Sequence, residues 1–89
     1  MSRRYELRYT HTARKGIKNL DGPIRKRVRQ ALEALADDPR PHGCTKVKGQ
    51  ADMWRIRVGD YRIRYEVEDG VLVVLVLKVA SRDGFYDDL

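Results

Sequence analysis

Four arginines, Arg55, Arg57, Arg62 and Arg64, alternate with apolar residues on either side of Gly59-Asp60. A guanidinium is a permanently charged planar fork that grips phosphate with two parallel hydrogen bonds. Four of them in one short pattern point to a polyanion, held or stabilised as charge develops on it. Arginine does not give up its proton in proteins, so this pattern leaves a proton acceptor unassigned. The other chemistry-bearing residues lie elsewhere. His11 and His42 fall at a helix start and in a loop, where capping and turn roles are the ordinary reading. Cys44 is the single cysteine, which excludes an internal disulfide and a cysteine zinc site. Asp83 is a carboxylate in a polar tail, where solvation is the default. Arg25, Lys26, Arg27 and Arg29 form a basic helix face, either solvated or touching a nucleic-acid backbone.

The elements that must position the arginines follow from periodicity. Arg4 to Tyr9 alternates, with Tyr5, Leu7 and Tyr9 on one side, which predicts a half-buried strand. Thr10 and Thr12 are N-cap types, and Ala13, Ile17 and Leu20 continue as a short amphipathic helix. Asp21-Gly22-Pro23 breaks it and starts another, carrying Ile24, Val28, Ala31, Leu32 and Leu35 on one face. That helix should end at Asp37-Asp38, because Pro39 disfavours helical backbone in the residue before it. Pro39 to Gly43 reads as loop, Thr45 to Lys48 as a short edge strand, and Gly49 to Asp52 as a turn. Trp54 to Val58 and Tyr61 to Val67 alternate as strands. Val71 to Val79 is apolar on both faces, which predicts a central strand. Gly59-Asp60 and Asp69-Gly70 are two-residue hairpin signals. The predicted fold is α+β: an N-terminal strand, a helical hairpin, then an antiparallel meander of three to four strands, with the helices on one sheet face.

Those turns set an expected register. Arg57 falls opposite Arg62 and Arg55 opposite Arg64, then Arg64 opposite Leu75 and Arg62 opposite Leu77. One face collects Trp54, Ile56, Val58, Tyr61, Ile63, Tyr65, Leu72, Val74 and Val76 under the helices. The other carries the four arginines beside an exposed apolar strip of Val73, Leu75 and Leu77. Like charges facing each other across a sheet are destabilising, so an anionic ligand is the simplest account of this face.

Composition agrees. The chain has 89 residues, 42% of them hydrophobic, enough for one core and a single domain over 1–89. Its 13 arginines and 6 lysines give a net charge of +6, which favours a polyanionic partner. The longest apolar run, Val71 to Leu77, is too short to cross a bilayer. No leader pattern precedes it, and with a lone cysteine this suggests a reducing cytoplasm.

The segment Trp54-Arg55-Ile56-Arg57-Val58-Gly59-Asp60-Tyr61-Arg62-Ile63-Arg64-Tyr65 resembles RelE-type toxins of the RelE/ParE toxin–antitoxin superfamily. The resemblance extends to Leu32–Arg40, to Lys46-Val47-Lys48-Gly49, through Val71 to Val79, and into Ser81-Arg82-Asp83-Gly84-Phe85-Tyr86. It covers nearly the whole chain. It implies a toxin of a type II module and a ribosome-dependent endoribonuclease that cleaves mRNA without a metal or other cofactor. The 2′-oxygen would attack the adjacent phosphate. The alternatives within reach are a ParE-like inhibitor of DNA gyrase that is no nuclease, or a degenerate nucleic-acid-binding module. The catalytic residues it implies are Arg55, Arg57, Arg62, Arg82 and Tyr86, on the helix-free side of the sheet. Many relatives carry lysine on the Trp strand or histidine before the terminal arginine. Here those positions are Arg55, Arg57 and Ser81. The implied partners are the ribosome with its mRNA and a cognate antitoxin with an acidic, partly apolar segment. The toxin–antitoxin complex would be able to bind operator DNA; no membrane is implied.

Overall fold

The strand-like alternation of residues 5–9 and the helical spacing from Ala13 meet at Thr10, and there the chain changes element. The computed structural model describes residues 4–81. They form β1 (Glu6–Tyr9), α1 (His11–Lys18), α2 (Gly22–Asp37), β2 (Thr45–Lys46), β3 (Met53–Val58), β4 (Tyr61–Glu68) and β5 (Val73–Ser81). Thr10 is the N-cap of α1. Its hydroxyl accepts from the Ala13 amide at 3.1 Å and donates to the Leu77 carbonyl at 2.8 Å. Pro23 lies in the first turn of α2, where its missing N–H costs nothing. The helix stops at Asp37, and Asp38 turns extended (φ −142°, ψ 95°) ahead of Pro39.

The sheet order is β1-β5-β4-β3-β2. Strands β2 to β5 form the expected antiparallel meander. β1 pairs with β5 in parallel, and the two helices are part of the long crossover that a parallel pair requires. This makes β5 central. Both helices lie on one sheet face, over Ile63, Tyr65, Val67, Val74, Val76 and Val79, with Ala13, Val28, Leu32 and Leu35 from the helices completing the core. α1 sits tight on β5. A Cβ on Gly16 would come within 2.2 Å of the Val79 carbonyl oxygen, so that approach requires glycine.

The β3–β4 register is the expected one, with Arg57 opposite Arg62, Ile56 opposite Ile63 and Arg55 opposite Arg64. The β4–β5 register is not. A two-residue primed turn needs left-handed backbone early in the turn. Instead Leu72 takes it (φ 54°), and residues 69–72 all belong to the connection. Glu68 then faces Val73, and Tyr65 faces Val76. Beyond Tyr65 a β-bulge skips Leu77, so Arg64 faces Lys78 and Arg62 faces Ala80. The expected pairs with Leu75 and Leu77 are therefore corrected. Leu72 lies in the turn rather than under the helices. The open apolar strip is also corrected: Val73 is buried, and Leu75 and Leu77 are partly buried.

The loop before β2 is held by a polar clamp. Arg40 donates to both oxygens of Asp69 (3.2 and 2.8 Å), and the Tyr5 hydroxyl donates to the same carboxylate at 2.6 Å. The Arg40 guanidinium also lies 5.5 Å from the Trp54 ring centre, within cation–π range. Tyr65, fully buried, donates its hydroxyl to the Pro39 carbonyl at 2.7 Å. Burial pushes the Tyr65 phenol well up. The hydrogen bonds from Arg40 and then Tyr5 hold the Asp69 carboxyl down at about 2, against an ordinary 3.8.

Two outcomes follow from this packing. Ile63→Ala removes a fully buried side chain facing Ile56 and Val79, and a denaturant titration should show a loss of about 2–5 kcal/mol. A near-neutral result would reverse the assignment of sheet faces. Asp69 has a depressed folded-state pKa, so its stabilisation is present above 3.8 and is lost as pH falls through about 2. Asp69→Asn should lower the melting temperature at neutral pH and flatten the decline between about pH 4 and 2. An unchanged acid profile would show that the clamp does not contribute to folding.

Candidate nucleic-acid interface

The helix-free face of the sheet is built by alternation alone. On β3 it receives Met53, Arg55 and Arg57. On β4 it receives Arg62, Arg64, Glu66 and Glu68. On β5 the bulge decides. Before it, Val73 and Leu75 share this face; after it, Lys78 and Ala80 do. The result is two cross-strand rows near the Gly59 end. One row runs Thr45, Arg55, Arg64, Lys78; the other runs Arg57, Arg62, Ala80. Neighbours within a row are about 4.8 Å apart, and the rows about 7 Å apart.

Five cations thus occupy two adjacent rows. Arg57 is exposed, and Arg55 and Arg64 are half-buried. Arg62 and Lys78 are the deeply set ones, 9% and 7% exposed. A cleft of about 280 Å³ opens on the β3 side of Arg62, lined by Gly43, Thr45, Arg55, Ile56, Arg57 and Arg62. A smaller one of about 140 Å³ continues past Arg57 and Arg62 to Gly59 and Asp60. At the other end of the face the charge reverses. Glu66, Glu68 and Glu6 gather around Val73 and Leu75, with Arg8 paired to Glu6. The face is a dipole, positive toward Gly59 and negative toward Asp69, and it would admit a polyanion at one end.

Of the residues singled out from sequence, Arg55, Arg57 and Arg62 come together around the cleft, and Arg64 stands opposite Arg55 in its row. Arg82 and Tyr86 lie outside the described residues, as does Asp83. His11 and His42 are exposed; neither stands in a row, and His42 adjoins Gly43 of the cleft wall. Among the described residues no group of three or more His, Cys, Asp or Glu side chains could hold a metal, and no helix is long and apolar enough to cross a membrane. Sequence reasoning missed Lys78 and Ala80. The available signal was a lysine in an otherwise apolar strand, at a position whose phase pointed into the core. That conflict between pattern and residue type is what a bulge resolves.

The model for the family described as "ParE toxin of type II toxin-antitoxin system, parDE" matches residues 7–84. The chain belongs to this family. It is a RelE-type toxin of the RelE/ParE superfamily. The toxin RelE3 of Methanocaldococcus jannaschii is 31% identical over 83 residues, covering 89% of this chain and 92% of the relative. The mRNA interferase toxin RelE of Escherichia coli is 28% identical over 81 residues, covering 89% and 84%. Among solved structures, the RelBE2 toxin–antitoxin complex of Mycobacterium tuberculosis superposes with a TM-score of 0.78 at 27% identity, covering 89% of this chain and 92% of that one. The α+β architecture is that of the RelE structures.

The like-charge rows carry a measurable consequence. Arg57 stands directly opposite Arg62, and such pairs cost about 0.2–1 kcal/mol. Arg57→Gln should therefore stabilise the protein by about that much in a denaturant titration. A loss of stability would mean that Arg57 contributes more to the fold than its repulsion from Arg62 costs.

Proposed function

We propose that this chain is the toxin of a type II toxin–antitoxin module and a ribosome-dependent, metal-free endoribonuclease that stops translation by cutting mRNA. The observation that carries this reading is the pair of cation rows around the cleft on the helix-free face. In the proposed reaction a ribose 2′-oxygen attacks the adjacent phosphate, and the 5′-oxygen leaves. The phosphorane formed on the way carries two negative charges. Fixed guanidiniums aimed at that charge stabilise it most where water is excluded. Arg62, deeply set and opposite Arg57, is the proposed phosphate ligand, with Arg55 and Arg57 flanking it. Arg82 and Tyr86 complete the set by resemblance. The ribosome would supply much of the substrate geometry, which is worth several orders of magnitude in rate. The proposed setting is the cytoplasm.

A cognate antitoxin belongs to the same reading. The structural neighbours include complexes of RelE with RelB from Pyrococcus horikoshii and Escherichia coli. For this chain we propose an antitoxin with an acidic, partly apolar segment that neutralises the cation rows and competes with RNA. The complex would be the form that meets operator DNA. A second reading has its own observation, since the matching family model is described by the ParE toxin. On that reading the chain inhibits DNA gyrase without cutting RNA.

Induction followed by pulse labelling separates the two. The expected outcome is a rapid fall in protein synthesis with mRNA fragments cut within codons, and growth arrest abolished by Arg62→Ala with the fold retained. A fall in DNA synthesis with translation spared would replace the nuclease reading by the gyrase one. Full arrest by a folded Arg62→Ala variant would remove Arg62 from the site.

A further inference from the structure

The net charge of this chain is concentrated away from the cleft. Residues 11–32, which hold α1 and the first three turns of α2, carry seven of the 19 lysines and arginines and one of the 13 carboxylates, Asp21. That accounts for the whole net charge of +6. In the rest of the chain, the cleft arginines included, the remaining 12 cations are matched by the remaining 12 carboxylates. Resting on the ribosome-dependent reading above, we infer that the solvent face of the helical hairpin is a second RNA-binding surface. It grips the phosphate backbone of ribosomal RNA, while the cleft on the other side of the sheet holds the mRNA.

The charges of the hairpin run against the preferences of its helices. Arg14, Lys15, Lys18, Lys26, Arg27 and Arg29 are exposed, and none makes an ion pair with a described residue. The first turn of α2 holds no acid. Arg25, Lys26 and Arg27 stand near that helix end, where the dipole disfavours cations. Arg14 with Lys18, and Arg25 with Arg29, are like-charged pairs four residues apart, which also disfavour a helix. The carboxylates of α2, Glu33 and Asp37, lie in its second half, and both are tied to Arg4. Folding alone gives no reason for this placement, whereas a polyanion on the hairpin does.

The same pairs line a groove. Between β1 and the two helices a hollow of about 680 Å³ is flanked by Arg14 and Lys18 from α1 and by Arg25 and Arg29 from α2, with Tyr9, Ile17 and Leu32 completing its lining. A neighbouring hollow of about 660 Å³ shares Arg25 and Arg29 and runs on past Lys26 and Gln30. Arg25 donates to the carbonyls of Lys18 and Leu20 at 3.1 and 2.7 Å, which pins the end of α1 to the start of α2 and fixes the spacing of the two walls. The groove offers little apolar surface. Leu32 is 1% exposed, and Tyr9 and Ile17 are partly buried. An amphipathic protein helix holds a groove through its apolar side chains, whereas a nucleic-acid backbone is held by cations without regard to sequence. Exposed cations over so little apolar surface fit the backbone of RNA.

Pelleting with vacant 70S ribosomes at fixed magnesium tests this. The Lys18→Gln/Arg29→Gln pair is set against Lys46→Gln/Lys48→Gln. Each pair removes two exposed cations, but Lys46 and Lys48 lie at and just beyond β2, the far edge of the sheet from β1. The hairpin pair should lower the slope of log affinity against log salt by about two. Between about 50 and 200 mM salt, wild type should then lose roughly tenfold more affinity than the hairpin pair. The control pair should follow wild type. A hairpin pair that binds as wild type would make the face a solvated one, and equal changes in both pairs would reduce the effect to net charge; either overturns the inference. Should the hairpin pair have a lowered melting temperature, Lys18→Gln and Arg29→Gln are measured singly, each with an expected slope change of about one, and no change again overturns it. Weakened binding of the co-expressed antitoxin with ribosome affinity unchanged would give the groove to an acidic protein segment instead. The readout needs no cleavage. A toxin that binds ribosomes through the hairpin and cuts no mRNA sinks the nuclease reading and leaves this inference standing. One that cuts mRNA with no dependence on the hairpin sinks this inference alone, and one that binds no ribosome sinks both.

Discussion

Thr10 gives its hydroxyl to the carbonyl of Leu77 at 2.8 Å, and its amide to the carbonyl of Val76 at 3.0 Å. Those two bonds fasten the start of α1 to the point where β5 bulges. A bulge leaves one residue outside the ladder, and a buried carbonyl without a partner is expensive. The same threonine accepts from Ala13 and so fixes where α1 begins. Helix start, bulge position and the change of face along β5 are therefore set together. Three residues further on, Gly16 lets the helix backbone approach the Val79 carbonyl, which holds the strand segment carrying Lys78 and Ala80 against α1. The cationic face is shaped from the opposite side of the sheet.

The face itself runs against folding. Arg57 opposes Arg62, and Arg55 opposes Arg64, which in turn opposes Lys78. Like charges directly opposite one another on a sheet disfavour folding by some tenths of a kcal/mol a pair, and two of the five cations are deeply set. The core on the other face makes this tolerable. Ile63 and Val79, the alternating neighbours of Arg62, Lys78 and Ala80, are buried among Ala13, Val28 and Leu32. One strand alternation thus serves both purposes: every second residue stabilises the sheet that holds its charged neighbours in place. The backbone positions of these side chains are set by the β3–β4 and β4–β5 ladders.

How much of this was legible in the sequence depends on how local its cause was. The Thr10 cap, the stop before Pro39 and the β3–β4 register follow from a few adjacent residues, and the faces of Trp54, Ile56, Ile63 and Tyr65 follow from period two. The positions of Arg55, Arg57, Arg62 and Arg64 on one face were readable for the same reason. The β4–β5 register was not, because its turn takes left-handed backbone at Leu72, a residue type that gives no turn signal. The bulge was hidden because the hydrogen bond that accompanies it joins Thr10 to Leu77, 67 residues apart. The parallel pairing of β1 was equally non-local. Lys78 therefore looked like an interruption in an apolar strand, when the bulge sets it opposite Arg64 on the helix-free face.

Both described helices lie on one side of the sheet, and the charge on the other face is not uniform. The cation rows lie toward Gly59, whereas Glu66, Glu68 and Glu6 lie toward Asp69. At the acidic end Asp69 is bound by Arg40 and Tyr5, which ties β1, the loop before β2 and the β4–β5 connection into one rigid corner. On the proposed nuclease reading, the acidic end would repel a phosphate chain and the cationic end attract it, so a strand would seat over Arg55, Arg57 and Arg62. Those arginines stand on paired strands, whose ladder hydrogen bonds would supply the precision that in-line attack on a phosphate needs, whereas a site built on loops would have to acquire it on binding.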